Sequence, residues 1–272
     1  MEDYRQQVGI TIHKFDINKV RCEEKSHTYP ACVIYGKRNT GKTFLVKDLL
    51  YRVRDYPNTD IFVREETDKD IYSPMAPIDR VKVGWKLIGN VLNRQTAACA
   101  TENDARAAVV LDDCFESHHV FNYPPLRQIM INSRHLKTTL ISVMQYPIKF
   151  KMEMRANVDY IFICRTPVIS DRKAIYKEFG GMFPTFDIFC QVLDACTNDY
   201  ECLVIDNRTA SYNIEDMIFW YKPAARGDFI MGISEVVERE NEPKEEDVRV
   251  VVFRPLPVES DTEAEDDNET EE

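Results

Sequence analysis

The chain has 272 residues, of which 44% are hydrophobic, so it is long enough for one large domain with a real core, with or without appendages. No run of 18 or more apolar residues occurs and the first residues form no apolar signal segment, so the sequence predicts neither a membrane span nor a secretory leader. The net charge of −11 is concentrated at the end of the chain, where residues 259–272 carry nine acidic side chains and no basic one. The remainder is nearly neutral, which neither excludes nor favours a nucleic-acid partner.

The spacing of the cysteines argues against a zinc site or a disulfide framework. The chain has eight cysteines but no C-x-x-C pair, and several of them lie in apolar runs. We therefore interpret them as reduced core residues of a cytosolic protein. The positions are Cys22, Cys32, Cys99, Cys114, Cys164, Cys190, Cys196 and Cys202.

The first predicted strand lies near the N-terminus, where apolar and polar residues alternate over residues 9–16. The next stretch is the one around which we expect the fold to be organised. Residues 36–43 read G-x-x-x-x-G-K-T, the phosphate-binding P-loop pattern. A short apolar run at 31–35 precedes this pattern and is typical of a buried parallel strand. Residues 43–53 follow with leucines at helical spacing, so strand, loop and helix come in the order that phosphate binding requires.

The P-loop pattern predicts a site for ATP and Mg²⁺. Backbone N–H groups at the start of the helix would point at the phosphates, while Gly36 and Gly41 allow a tight loop and a close approach. Lys42 would reach the β- and γ-phosphates, and the Thr43 hydroxyl would ligate Mg²⁺. The predicted nucleotide-binding residues are Gly36, Lys37, Arg38, Asn39, Thr40, Gly41, Lys42 and Thr43.

Three weaker elements follow the P-loop helix. Residues 60–64 are predicted to form a second strand, and the charged, proline-containing residues 65–82 a loop. Residues 83–93 are predicted to form a helix, in which we interpret Trp85 as a core residue.

A stronger strand signal lies at residues 107–114, where an apolar run ends in Asp112 and Asp113. Ligands of open α/β sheets sit at the carboxyl ends of the strands, and a P-loop needs an acid there that organises Mg²⁺. We therefore assign Asp112 to the Mg²⁺ site. Asp113 is assigned to the orientation or deprotonation of the attacking water.

Further elements follow the strand that ends in Asp112 and Asp113, which we call the acidic strand. Residues 117–136 predict a loop and then a helix, and residues 138–147 predict a buried strand that ends in Gln145 and is closed by Pro147. A polar side chain at that strand end can reach the γ-phosphate or the attacking water. Residues 160–164 predict a further strand. Strands that alternate with helices in this way indicate an α/β fold with a mostly parallel sheet and helices on both faces.

Four motifs follow one another in a set order, at residues 36–43, 109–113, 132–135 and 142–145. In this order they resemble the FtsK–HerA superfamily of DNA-pumping ATPases. The succession Ser133-Arg134-His135, a strand and Gln145-Tyr146-Pro147 is most similar to the genome-packaging ATPases of poxviruses and other large DNA viruses. Residues 201–222 are similar to the closing strand and hairpin of that viral group. The resemblance covers about residues 28–224 and implies a P-loop NTPase fold of the RecA/ASCE type.

The resemblance implies a role for each matching position. Lys42 and Thr43 would be the Walker A residues, Asp112 would hold Mg²⁺ through water, and Gln145 would be a sensor at the strand end. Asp113 stands where FtsK and HerA relatives usually have a glutamate, which shortens the expected catalytic base by one methylene.

Arg134 resembles the arginine that completes the active site of a neighbouring subunit. The transferring phosphoryl group needs an additional cation, and a guanidinium supplies a forked and always charged donor. Arg155 and Arg165 are the alternative candidates for this role.

The C-terminal third of the sequence predicts a helix at 187–196, a strand at 202–205 and an edge strand at 217–221. We divide the whole chain into an N-terminal segment (1–28), a P-loop ATPase domain that ends in a hairpin (29–225), a linker with one β-prone segment (226–257) and an acidic tail (258–272). The tail has the composition of a disordered segment.

These features predict an ATP-hydrolysing motor that packages double-stranded viral DNA into a capsid. The expected partners are double-stranded DNA, further copies of the chain in a ring that is hexameric on the family's pattern, and a capsid or portal protein. The expected locations are the virion and the host-cell cytoplasm. Lys149, Lys151 and Arg155, which follow Gln145, are candidate contacts to the DNA backbone.

Three alternatives stay open at this stage. The first is a nucleotide-dependent interaction module with negligible turnover. The aspartate at position 113, in place of the family's usual glutamate, is compatible with it. The second is a plasmid, transposon or chromosome DNA translocase of the same superfamily. The third is a nucleoside or small-molecule kinase, although no arginine-rich lid is clearly placed in the sequence.

Overall fold

The computed structural model describes residues 9–22, 28–115, 118–147, 150–232 and 247–253. Within these residues, ten strands join in one sheet. In chain order they are β1 (Gly9–Lys14), β2 (Ala31–Tyr35), β3 (Asn58–Val63), β4 (Val81–Val83), β5 (Ala107–Asp112), β6 (Thr138–Met144), β7 (Tyr160–Ile163), β8 (Cys202–Asp206), β9 (Ile218–Tyr221) and β10 (Val248–Val252). The spatial order is β10-β1-β9-β8-β7-β2-β6-β5-β3-β4.

The six strands from β7 to β4 are all parallel, and they form the half of the sheet that holds the predicted site. The P-loop strand β2 and the acidic strand β5 are separated by β6, with Tyr35 level with Met144 and Asp112 level with Val143. The carboxyl ends of all parallel strands therefore lie on the same side of the sheet. We call this side the carboxyl edge, and the side with the amino ends of these strands the amino edge. The predicted α/β fold with a mostly parallel sheet is confirmed.

The helices cover both faces of the sheet. The α-helices in the described residues are α1 (Lys42–Arg52), α2 (Lys69–Tyr72), α3 (Ile88–Thr101), α4 (Pro124–Asn132), α5 (Met152–Arg155), α6 (Ile169–Phe179) and α7 (Phe186–Cys196). Short 3-10 helices lie at Ile17–Val20, Glu66–Asp68, Ile78–Arg80, Trp85–Leu87, His118–Asn122 and Ile214–Asp216. No helix of the described segments combines the length and the apolar character needed to cross a membrane.

Alternation along β2 shows how the two faces are built. Val33 and Tyr35 belong to a core cluster shared with α3, α4, α6 and α7, whereas Cys32 and Ile34 belong to a second cluster shared with α1 and α2. Successive side chains of a strand point to opposite faces, so a strand buried on both faces reads as a continuous apolar run. The apolar run before the P-loop is such a strand.

The region between the P-loop helix and the acidic strand differs from its prediction. Residues 65–82 contain the short helix α2 and the start of β4, and the helix expected at 83–93 is α3, which begins later and runs further. The strand β4 has only three residues and lies at the sheet edge beside β3. Three residues are too few to show the alternation that identifies a strand in a sequence.

The C-terminal strands extend the sheet beyond β7. The strands β8 and β9 form the predicted antiparallel hairpin, but β9 is not an edge strand, because β1 pairs with it in parallel on its other side. The β-prone segment forms β10 and pairs antiparallel with β1 of the same chain. The Trp220 side chain is packed rather than free, since the Arg249 guanidinium lies 3.7 Å from its ring centroid.

The chain after β9 returns over the P-loop helix. Asp48 of α1 is fully buried and accepts hydrogen bonds from the Tyr221 hydroxyl (2.5 Å), the Ala224 N–H (3.0 Å) and the Arg226 Nε–H (2.6 Å). Packing therefore continues past residue 226, where the sequence suggests a linker, to Gly232, whose N–H donates to the Arg54 carbonyl. The acidic tail lies outside the described residues.

Candidate functional site: a P-loop and two aspartates at the carboxyl edge

The P-loop connects β2 to α1 at the carboxyl edge. The Gly36 N–H donates to the Met144 carbonyl at 3.1 Å, which ties the start of the loop to the neighbouring strand β6. The loop then passes through two left-handed residues, Asn39 (φ 62°) and Gly41 (φ 93°), before α1 begins at Lys42. Left-handed backbone is readily adopted by glycine and tolerated by asparagine. The strand, loop and helix predicted for the P-loop are therefore observed.

Gly36 is held where no larger residue fits. A Cβ placed on it would lie 2.5 Å from the Thr40 hydroxyl oxygen and 2.8 Å from the Cys164 Cβ. The Thr40 hydroxyl is itself engaged, because it donates to the Lys37 carbonyl at 2.7 Å. The narrow start of the loop is therefore set by packing on both sides.

We expect Gly36→Ala to weaken nucleotide binding by about tenfold or more, because the loop must shift to relieve these contacts. Gly181→Ala is the matched control, since nothing lies within 4 Å of a Cβ placed there. Calorimetric titration of both variants with an ATP analogue checks the expectation. An unchanged affinity in Gly36→Ala would show that the loop tolerates the methyl group.

Lys42 crosses the loop toward the acidic strand. Its ammonium donates to the Lys37 carbonyl at 2.9 Å, so one carbonyl receives both this group and the Thr40 hydroxyl. Burial lowers the pKa of Lys42, and the Asp113 and Asp112 carboxylates oppose this shift. Lys42 is thus a partly desolvated cation close to two carboxylates.

Asp112 ends β5 in a partly buried environment. Its carboxylate accepts a hydrogen bond from the Tyr72 hydroxyl at 2.7 Å. Burial raises the pKa of Asp112 to about 6, and the neighbouring Asp113 charge raises it further, while the Tyr72 bond and Lys42 act in the opposite direction. The sequence gives no sign of Tyr72, because this residue lies in a segment that was expected to be a loop.

Asp113 turns out of the strand into left-handed backbone with φ 52°. Its N–H donates to the Val143 carbonyl at 3.1 Å, and its carboxylate accepts a hydrogen bond from the Gln145 side-chain amide. The structure thus brings together Asp113, which was assigned to the attacking water, and Gln145, which was expected to reach the γ-phosphate or that water.

A cavity of about 290 Å³ lies beside this pair at the carboxyl edge. It is lined by Arg64, Asp113, Phe115, Val143, Met144, Gln145 and Tyr146. Arg64 directly follows β3, and sequence reasoning missed it although it stands at the end of a predicted strand. Its side chain is 48% exposed and its Nε lies 3.7 Å from the Glu65 carboxylate.

Arg134 is not brought to this site. It precedes β6 at the amino edge, where its guanidinium forms an ion pair with the fully buried Asp159. Burial raises the pKa of Asp159, and the Ala31 N–H and Arg134 act against that shift. The Arg134 side chain stays 48% exposed, so its predicted role in a neighbouring subunit remains a prediction.

The other basic candidates occupy different places. Arg165 follows β7 at the carboxyl edge and is exposed. Arg155, at the end of α5, forms an ion pair with Glu178 at 3.1 Å. Lys151 precedes α5, and Lys149 lies outside the described residues.

The residues at the carboxyl edge fit ATP and Mg²⁺. Hydroxyl and carboxylate oxygens of the kind offered by Thr43 and Asp112 are the donors that Mg²⁺ prefers. The partly buried Asp112 and the adjacent Asp113 form an acidic pair that a cation would neutralise. Backbone N–H groups at the start of α1 suit an anionic phosphate chain.

The fold and this edge define a P-loop NTPase in which one strand separates the P-loop strand from the acidic strand. The chain belongs to the protein family that includes the uncharacterised protein 088R of Invertebrate iridescent virus 3, to which it is 31% identical over 230 residues, 82% of this chain and 88% of that protein. Protein L437 of Acanthamoeba polyphaga mimivirus is 28% identical over 225 residues, 78% of this chain and 77% of that protein. No protein-family model matches the chain.

Among solved structures, the chain resembles the genome-packaging NTPase B204 of Sulfolobus turreted icosahedral virus 2 in complex with ATP-gammaS. The TM-score is 0.52 at 15% identity, over 71% of this chain and 97% of B204. This likeness shows a shared fold. Together the two comparisons confirm the predicted resemblance: the relatives are proteins of large DNA viruses, and the fold is that of a viral genome-packaging NTPase.

Proposed function

We propose that this protein is an ATP-hydrolysing motor that packages double-stranded viral DNA into a capsid. The observation that carries the proposal is the convergence of the P-loop, the Asp112-Asp113 pair and Gln145 on one edge of a sheet with the B204 fold. Relatives in large DNA viruses support the viral setting. The virion and the host-cell cytoplasm are the places in which such a motor would act.

Each residue at the carboxyl edge has its own proposed role in ATP hydrolysis. The N–H groups that follow Gly36 in the loop and at the start of α1 would bind the phosphate chain, and the Lys42 ammonium would balance its charge. Thr43 and Asp112 would hold Mg²⁺, which would neutralise charge that develops on the phosphate oxygens. Asp113 accepts a proton from the attacking water, and Gln145 holds the Asp113 carboxylate in place.

Arg134 would act across a subunit boundary in a hexameric ring. A cation supplied by the neighbour makes hydrolysis depend on subunit packing. The buried Asp159 holds the Arg134 guanidinium while the arginine side chain stays 48% exposed, so Arg134 lies at the surface of the subunit. We also propose that the motor binds a capsid or portal protein. Its contacts to the DNA backbone would come from Lys149, Lys151 and Arg155.

The test is steady-state ATP hydrolysis with and without double-stranded DNA at two salt concentrations. We expect DNA to stimulate turnover and added salt to suppress the stimulation, because backbone contacts release counterions. Flat turnover with any DNA would remove the main support for the motor.

Mixing two inactive variants tests the shared site. We expect Arg134→Ala and Lys42→Ala subunits, each inactive alone, to regain turnover when they are mixed, because a site between them takes the lysine from one subunit and the arginine from the other. Arg165→Ala and Arg155→Ala, each mixed with Lys42→Ala, are the comparison. No recovery of turnover in the mixture of Arg134→Ala and Lys42→Ala would contradict a role in trans.

A second candidate is a nucleotide-dependent interaction module with negligible turnover. Asp113 supports this second candidate, because its side chain is shorter than that of glutamate and its carboxylate already accepts a hydrogen bond from Gln145. ATP binding without hydrolysis, in the presence of DNA, would support this module. A plasmid, transposon or chromosome translocase shares the motor chemistry and differs only in its DNA substrate.

A further inference from the structure

The turn between α7 and β8 has an unusual backbone. Asp199 (φ 49°) and Tyr200 (φ 62°) are consecutive left-handed residues, and neither is glycine. Such a backbone persists only where the surroundings hold it, and tyrosine is among the residues that adopt it least readily. The turn is held on both sides: Lys222 forms an ion pair with Asp199, and the Arg249 guanidinium donates two 2.8 Å hydrogen bonds to Glu201.

The result of this backbone is that Tyr200 lies against the P-loop. A Cβ placed on Gly41 would be 3.3 Å from both the Cβ and the Cδ1 of Tyr200. Even so, the Tyr200 residue is 64% exposed. An aromatic ring that touches the phosphate-binding loop and remains open to solvent is available for a ligand.

The strand order places Tyr200 on the side of the P-loop where the nucleoside of a bound nucleotide would lie. At the carboxyl edge, one side of the P-loop strand β2 carries β6 and β5, with Gln145, Asp112 and Asp113. The other side carries β7 and β8, and the turn with Tyr200 leads into β8. The γ-phosphate must face the carboxylates, so the nucleoside at the other end of the phosphate chain faces Tyr200.

We propose that Tyr200 forms a nucleobase site in which the base of the bound nucleotide stacks on the tyrosine ring. Every base has a π-face, and stacking on an exposed ring gains affinity without requiring hydrogen bonds to the base edge. The held turn lets the ring receive the base without a change of backbone. This proposal rests on the proposed nucleotide site and adds the recognition of the nucleoside to it.

The test separates the base from the phosphates by comparing ADP and inorganic tripolyphosphate as ligands of the full chain. The ring-removing variant is Tyr200→Asn, because asparagine tolerates left-handed backbone and should preserve the turn. Tyr200→Phe keeps the ring. Tyr212→Ala is the matched control: Tyr212 is a fully exposed tyrosine in the segment between β8 and β9, at the amino edge.

We expect Tyr200→Asn to weaken ADP binding by about tenfold and to leave tripolyphosphate binding within about twofold. Tyr200→Phe and Tyr212→Ala should bind both ligands as the wild type does. Unchanged ADP binding in Tyr200→Asn would overturn the proposal, and so would an equal loss of both ligands, which would mean that Tyr200 acts on the shape of the loop. If the wild type binds neither ligand, the nucleotide site itself fails and the base site falls with it.

Discussion

Replacing Lys42 with alanine is expected to lower ATP turnover by about 1,000-fold or more. The Lys42 ammonium is held on the Lys37 carbonyl within the P-loop and lies close to the Asp112 and Asp113 carboxylates. A γ-phosphoryl group in transfer spreads negative charge over its oxygens, and a fixed cation in a partly desolvated site stabilises that charge strongly. Without the ammonium, the phosphate chain would face two carboxylates with only Mg²⁺ and the loop N–H groups to balance its charge.

Steady-state hydrolysis and nucleotide titration together check this expectation. Lys47→Ala is the matched control, because Lys47 lies on the same helix and outside the P-loop. We expect it to retain wild-type turnover. A Lys42→Ala variant that hydrolyses ATP within about tenfold of the wild type would mean that another cation serves the phosphates, and Arg64 and Arg165 at the carboxyl edge would be the first to replace.

Replacing Asp112 with asparagine is expected to abolish Mg²⁺-dependent hydrolysis and to stabilise the folded protein. Asparagine keeps an oxygen that can accept the Tyr72 hydrogen bond, but it removes a partly buried charge. The pKa of Asp112 rises from its ordinary value of 3.8 to about 6, which corresponds to about 3 kcal/mol of destabilisation by the ionised group. The melting temperature of Asp112→Asn should therefore exceed that of the wild type by about 5 °C or more at pH 8.

The pH dependence of this gain identifies its cause. The folded-state pKa of Asp112 is raised, so the ionised carboxylate destabilises the fold in full above about pH 6. The penalty falls as the pH drops from about 6 toward 3.8, because the folded protein then holds the proton more tightly than the unfolded chain. The advantage of Asp112→Asn should accordingly shrink by about half at pH 5.

Calorimetric melting at pH 8 and pH 5, without metal or nucleotide, measures the effect. Asp79→Asn is the control, since Asp79 is an exposed aspartate and should change neither the melting temperature nor turnover. Equal melting temperatures for Asp112→Asn and the wild type at pH 8 would contradict the destabilising effect of the Asp112 charge. Retained Mg²⁺-dependent turnover in the variant would contradict the assignment of Asp112 to the metal.

Local patterns explain why part of the site was visible in the sequence. The P-loop is a contiguous stretch whose glycines, lysine and threonine act through their own backbone and side chains, so its geometry is largely local. The strand before Asp112 is buried on both faces, and its continuous apolar run marks both the strand and its end. Parallel strands end at a common edge, which is why Asp112 and Gln145 could be assigned to the same site.

The partners of these residues were not visible, because they come from distant parts of the chain. Tyr72 reaches Asp112 from a short helix whose four residues are too few to show a period. Arg134 and Asp159 meet at the amino edge only because β6 and β7 both flank β2. The same holds for the interior position of β9, which is covered by β1 from the opposite end of the chain.

The amino-acid sequence by itself determined the P-loop, the acidic strand end and the α/β class, since these depend on neighbours within one strand, loop or helix. Only the tertiary structure decided which side chains face the site. The pairing of Asp113 with Gln145 and the approach of Tyr200 to Gly41 depend on the order of strands in the sheet. That order is set by burial and pairing summed over the whole chain, which no local pattern records.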